Sequence, residues 1–100
     1  MEKVKVYQLM DLIEDIKRVN AMIVLHSDNP STFMLEQYKI KKEKLMGYLI
    51  DELVAPEVRS PKSFAIIKEI IEKFYPNASK EAQADKTHDE LNEIQHALAV

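Results

Sequence analysis

The 100-residue sequence contains no cysteine and a single glycine, Gly47. The absence of cysteine excludes disulfide bonds, thiolate ligands for zinc or iron–sulfur clusters, and a cysteine nucleophile. With one glycine and four prolines, the chain has few of the residues that β-hairpin turns and phosphate-binding loops require. These absences argue against a β-rich fold and favour helices.

Long apolar runs are also missing. No run approaches the roughly 20 residues that span a bilayer. Acidic side chains interrupt the N-terminal segment at Asp11, Glu14 and Asp15, where a secretion signal would need an unbroken apolar core. The composition, 46% hydrophobic and 31% charged, is typical of a single globular domain. We therefore expect a cytoplasmic protein with no membrane-spanning segment.

The formal net charge is −3, and the acidic excess lies entirely in residues 77–100. A neutral body with an acidic end is a poor electrostatic match for nucleic acid. One basic cluster exists, in which lysines wind around a predicted helix and alternate with glutamates; it comprises Lys39, Lys41, Lys42 and Lys44. We interpret this cluster as a solvated helix face, and a nucleic-acid-associated regulator is the alternative.

Apolar residues recur three and four positions apart in the first segment, which is the pattern of a coiled-coil seam. This pattern predicts a first helix from about Val4 to about Leu25, and its seam positions are Val6, Leu9, Ile13, Ile16, Asn20 and Ile23. Asn20 is the one polar residue in the seam. We interpret it as a register-setting polar core residue rather than an active-site amide.

A second helix is predicted from about Thr32 to about Val54, after a break at residues 26–30 that ends in Asn29 and Pro30. Ser31 or Thr32 can cap this helix. Its main apolar face comprises Met34, Tyr38, Leu45, Leu49 and Leu53. Because the connection is short, the two helices are expected to pack antiparallel as a hairpin.

The second helix carries another apolar line, which repeats every seven residues on the side away from Leu45 and Leu49. This heptad line consists of Phe33, Ile40, Gly47 and Val54. Either helix three packs over it, or it is an association surface between copies of the chain. A glycine inside a helix costs roughly 1 kcal/mol relative to alanine, and close approach of another backbone is the usual reason for tolerating it. Gly47 therefore predicts a tight helix crossing.

Ser60 and Pro61 mark the start of a third helix, which Tyr75-Pro76 ends. Its predicted buried face is Phe64, Ile67, Ile71 and Phe74. Residues 1–76 then form a three-helix body, and residues 77–100 form an acidic tail. Within this tail, residues 77–86 have no apolar period, whereas a short helix is predicted from His88 to about Ala99.

These elements predict an all-α fold in which a helical hairpin is completed by a third helix and a short C-terminal helix, and in which hairpins pair into a larger bundle. No residue cluster has the spacing of a catalytic or cofactor site. The Glu93 and His96 pair, with Asp85 and His88, imitates a di-metal motif only weakly, so we expect no bound metal. The expected function is a protein–protein interaction or scaffold role as a homodimer, with a small helical enzyme as a further alternative.

Overall fold

The computed structural model describes residues 2–28, 32–85, 87 and 89–99, and these residues form helices and connections with no strand. The helices are α1 (Lys3–His26), α2 (Thr32–Leu53), α3 (Pro61–Phe74), α4 (Ala78–Ala84) and α5 (Asp89–Ala99). The predicted all-α class is confirmed. The break and cap predicted at Asn29, Pro30 and Ser31 lie outside the described residues.

The two long helices, α1 and α2, pack against each other as an antiparallel hairpin. At one end, Lys5 near the start of α1 forms an ion pair with Glu52 near the end of α2. At the other end, the rings of His26 and Tyr38 stack with their centroids 5.5 Å apart. The start of each helix therefore meets the end of the other, which confirms the predicted hairpin.

The core follows the predicted seam of α1 and the inner face of α2. Ile16 and Leu49 lie at its centre and are fully enclosed. Burying one such side chain contributes about 1.5–3 kcal/mol to the free energy of unfolding. The rest of the buried cluster comprises Leu9, Met46, Leu53, Ile70 and Phe74. The hairpin seam and the end of α3 thus form one continuous core.

Helix α3 turns a different face to this core than the sequence predicted. Phe64 is 54% exposed and Ile71 is also exposed, whereas Ser63 is buried. The Ser63 hydroxyl tolerates burial because it accepts a hydrogen bond from the Ser60 N–H and donates one to the Ser60 carbonyl. The prediction was therefore wrong for Phe64 and Ile71, whereas it is confirmed for Phe74, which is buried, and for Ile67, which packs against the core. The buried residues of the helix are Ser63, Ile70 and Phe74. The predicted cap at Ser60 is confirmed by a complete capping box.

The tail contains one helix more than predicted. Helix α4 forms from Ala78 to Ala84, because alanine, lysine, glutamate and glutamine favour helix even without an apolar period. Helix α5 confirms the predicted C-terminal helix, although His88 lies outside the described residues. The side chains described in α5 are all exposed. Within the described part of the chain, no helix combines the length and hydrophobicity that a bilayer-spanning segment needs.

Candidate association surface and adjoining cleft

Phe33, Ile40 and Gly47 of the heptad line lie on the outer face of α2, opposite the core residues of that helix, and Val54 directly follows its last residue. Phe33 is 69% exposed and Ile40 is 49% exposed, Gly47 is exposed, and Val54 is half-buried. Helix α3 packs on the other side of α2, through the core cluster. The alternative in which helix three covers the line is therefore not realised, and the line faces outward.

Gly47 has no conformational or steric need within this chain to be glycine. Its backbone is that of an ordinary helix, without a positive φ. Outside its own helical turn, no described atom lies within 4 Å of the position that a Cβ would occupy. No described segment of the chain thus makes the tight crossing predicted at Gly47, and the space over this residue is open.

Charged side chains flank the heptad line on both sides. Seven-residue spacing places Lys44 and Asp51 together along one side, where both are exposed. Neither side chain forms an ion pair within the described residues. The opposite side carries Glu36, whose carboxylate lies 3.9 Å from the Lys39 ammonium, and Glu43.

An open cleft of about 460 Å³ lies where the end of α1, the end of α3 and the start of α4 meet α2. Its polar and charged lining consists of Asn20, Lys39, Lys42, Glu43, Lys73, Tyr75, Asn77 and Glu81. Asn20 is half-buried at this cleft, so its polar neighbours come from other helices. Its role in setting the register stays a prediction.

Among the described residues, Lys42 is the buried cation, with 9% of its surface exposed. Its ammonium donates a hydrogen bond to the carbonyl of Phe74 and lies 4.2 Å from the centroid of the Tyr75 ring. The last carbonyls of a helix lack partners within the helix and carry the negative end of its dipole. Lys42 therefore caps the C-terminus of α3 from the neighbouring helix.

Burial at this contact shifts the pKa of both Lys42 and Tyr75. Desolvation lowers the pKa of Lys42 from its ordinary value, and the nearby Glu81 carboxylate partly opposes this by raising it. Burial raises the pKa of Tyr75, and Glu43 and Glu81 raise it further. The Lys42 ammonium already contacts the Phe74 carbonyl and the Tyr75 ring. These contacts give Lys42 a structural role that requires no bound ligand.

The lysine cluster does not form one basic face. Lys42 is in the core, whereas Lys39, Lys41 and Lys44 are exposed and turn around the helix. The interpretation of the whole cluster as a solvated face was therefore wrong for Lys42. The burial of Lys42 could have been predicted from the sequence. Tyr38 and Leu45, on the apolar face of α2, are seven positions apart, so the residue at position 41 or 42 must occupy the turn between them.

Among the described residues, no group of three or more histidine, aspartate or glutamate side chains could hold a metal ion. His88, considered above with Asp85, is outside those residues. Comparisons with models of protein families, with characterised proteins and with solved structures give no match. The surfaces of this chain are therefore the features that bear on its function.

Proposed function

We propose that this chain is a cytoplasmic helical interaction protein of the scaffold or regulatory kind, which acts as a homodimer and has no catalytic activity of its own. The observation that supports it is the outward-facing heptad line, with open space over Gly47. Association through this line would join two hairpins into a larger helical bundle.

The heptad line differs from ordinary scattered surface hydrophobics. Single exposed apolar residues are normal and need no explanation. Here Phe33, Ile40 and Val54 recur at multiples of seven residues, which keeps them on one side of a helix, and the third position of the line, Gly47, is the only glycine of the chain. Covering a large apolar side chain gains about 1.5–3 kcal/mol, so this surface supports association.

A second copy of the chain is the partner that this surface fits best. In a two-fold dimer each subunit presents the same patch, so one helical line supplies both halves of the contact. The line needs no complementary surface elsewhere on the molecule. Residues 1–76 are electrically balanced, so two bodies can approach without strong net repulsion.

The test compares two glutamate substitutions at apolar side chains of similar exposure. Ile40 on the line is 49% exposed and Met10 on the outer side of α1 is 54% exposed. Light-scattering mass on a sizing column should give a dimer for the native chain and for Met10→Glu, and a monomer for Ile40→Glu. A glutamate in the contact would be desolvated without a partner, whereas one at Met10 stays in water.

Circular dichroism provides the folding control, since Ile40→Glu should keep the helical spectrum of the native protein. Concentrations up to about 1 mM, where even a weak complex of about −4 kcal/mol is half-formed, should be covered. A native chain that stays monomeric throughout overturns the homodimer. A dimer that Ile40→Glu does not disturb overturns the assignment to the heptad line.

A further inference from the structure

We infer that two copies associate by an antiparallel crossing of their α2 helices, with the two-fold axis at Gly47. This inference rests on the proposed function and specifies its geometry. Glycine at the crossing point lets two helix backbones approach more closely than the usual 8–10 Å between axes. The open space over Gly47 is where the second backbone would lie.

The two members of the heptad line next to Gly47 are symmetric about this point, whereas Phe33 has no counterpart because position 61 begins α3. Ile40 lies seven residues before Gly47, and Val54 lies seven residues after it. A two-fold axis at Gly47 therefore places Ile40 against the partner subunit's Val54, and the reverse contact follows by symmetry. Two apolar pairs then flank the glycine crossing on either side, each about 10 Å along the helix from the axis.

The charges on one side of the line agree with this register. In an antiparallel pair, residues on the same side of the two lines face each other. Lys44 and Asp51 are on the same side, and their midpoint lies within half a residue of Gly47. Lys44 therefore faces the partner subunit's Asp51, which gives two symmetric ion pairs from side chains that have none among the described residues.

Other arrangements of α2 against α2 fit the charges less well. An antiparallel axis midway between Ile40 and Gly47 would set Lys44 against the partner subunit's Lys44, which is repulsive. A parallel pair would rely on Glu43 to meet the partner subunit's Lys44. That arrangement would also leave Asp51 facing the partner subunit's Ile50 rather than a cation.

The closing experiment is a charge exchange followed by measurement of the dimer dissociation constant. Lys44→Asp and Asp51→Lys should each weaken dimerisation about tenfold, because each places like charges together. The double variant Lys44→Asp/Asp51→Lys should return to within about threefold of the native constant, since it reverses both partners and keeps the net charge. Lys41→Asp is the control, an exposed lysine away from the line, and should change little.

Cysteine substitution gives a second reading, because the native chain has no cysteine. Oxidation of a mixture of Ile40→Cys and Val54→Cys should yield the mixed disulfide in preference to either self-linked product. Self-linking of Ile40→Cys alone would support a parallel pair and overturn the antiparallel geometry. If the native chain dimerises but the double charge variant does not recover its affinity, the antiparallel geometry is overturned and the proposed homodimer stands. If the native chain is a monomer, both the geometry and the homodimer are overturned.

Discussion

Lys42 joins two segments that are 32 residues apart in the chain. Its methylene stem occupies an apolar position of α2, and its ammonium reaches the last turn of α3. Lysine can do both because a long apolar stem carries its charge to a distant partner. The side chain therefore replaces a core hydrophobe and a helix cap at the same time.

Two substitutions of Lys42 should separate the contribution of its apolar packing from that of its hydrogen bond to Phe74. Lys42→Ala should lower the free energy of unfolding by about 2–3 kcal/mol, through lost packing and an unpaired carbonyl at Phe74. Lys42→Met keeps most of the volume and should lose only about 1 kcal/mol. Urea denaturation measures both, with exposed Lys41→Ala expected to stay within about 0.5 kcal/mol of the native protein.

The informative comparison is between Lys42→Met and the native chain. A methionine variant as stable as the native protein would mean that the hydrogen bond to Phe74 and the contact with Tyr75 add no net stability. Buried charges are sometimes replaced by apolar residues without loss, so this outcome is physically attainable. It would contradict the structural task assigned to Lys42.

At the scale of elements, strong periodicity made α1 and α2 predictable, whereas α3 and α4 show where it fails. Two neighbouring stripes of α3 both look apolar, one through Phe64 and Ile71 and one through Ile70 and Phe74. Only packing against α2 decides which stripe is buried. Helix α4 has high intrinsic propensity but no apolar stripe, so a search for periodicity passes over it.

Substitution of Gly47 in a monomeric variant tests whether this position is packed within a single chain. In the Ile40→Glu background, where the chain is expected to be monomeric, Gly47→Ala should raise the free energy of unfolding by about 0.5–1 kcal/mol. Alanine restricts the unfolded chain and favours helix, and its Cβ would enter open space. Thermal or urea unfolding measures the change. A destabilised variant would show that position 47 is packed within the monomer, contrary to the geometry described above.

For the whole molecule, the heptad line could be predicted from sequence because three of its residues are on α2 and Val54 directly follows that helix. The cleft could not, because Asn20, Lys42 and Tyr75 come from separate segments that only the packing of helices brings together. Asn20 shows the difference well. On the predicted seam of its own helix it is the one polar residue, and the other polar groups that line the cleft belong to α2, to α3 and to the segment after α3.

The tail offers a prediction about the whole molecule. A chain ending at Asp85 loses α5, whose described side chains are exposed. Surface changes of this kind usually alter stability by less than about 0.5 kcal/mol, so the urea midpoint of the body should not move. The control is a chain ending at Tyr75, which also lacks α4 and the Glu81 carboxylate that acts on Lys42. A clear loss of stability on removing α5 alone would show that this helix docks on the body.

The way α3 is attached has a consequence for how the molecule opens. Helices α1 and α2 share a long seam, while α3 meets the hairpin chiefly through α2 and the Lys42 cap. Although its end belongs to the common core, such an element is expected to detach locally while the hairpin remains closed. Amide hydrogens of α3 should then exchange with solvent sooner than those around Ile16 and Leu49, and the cleft would open and close with that local motion.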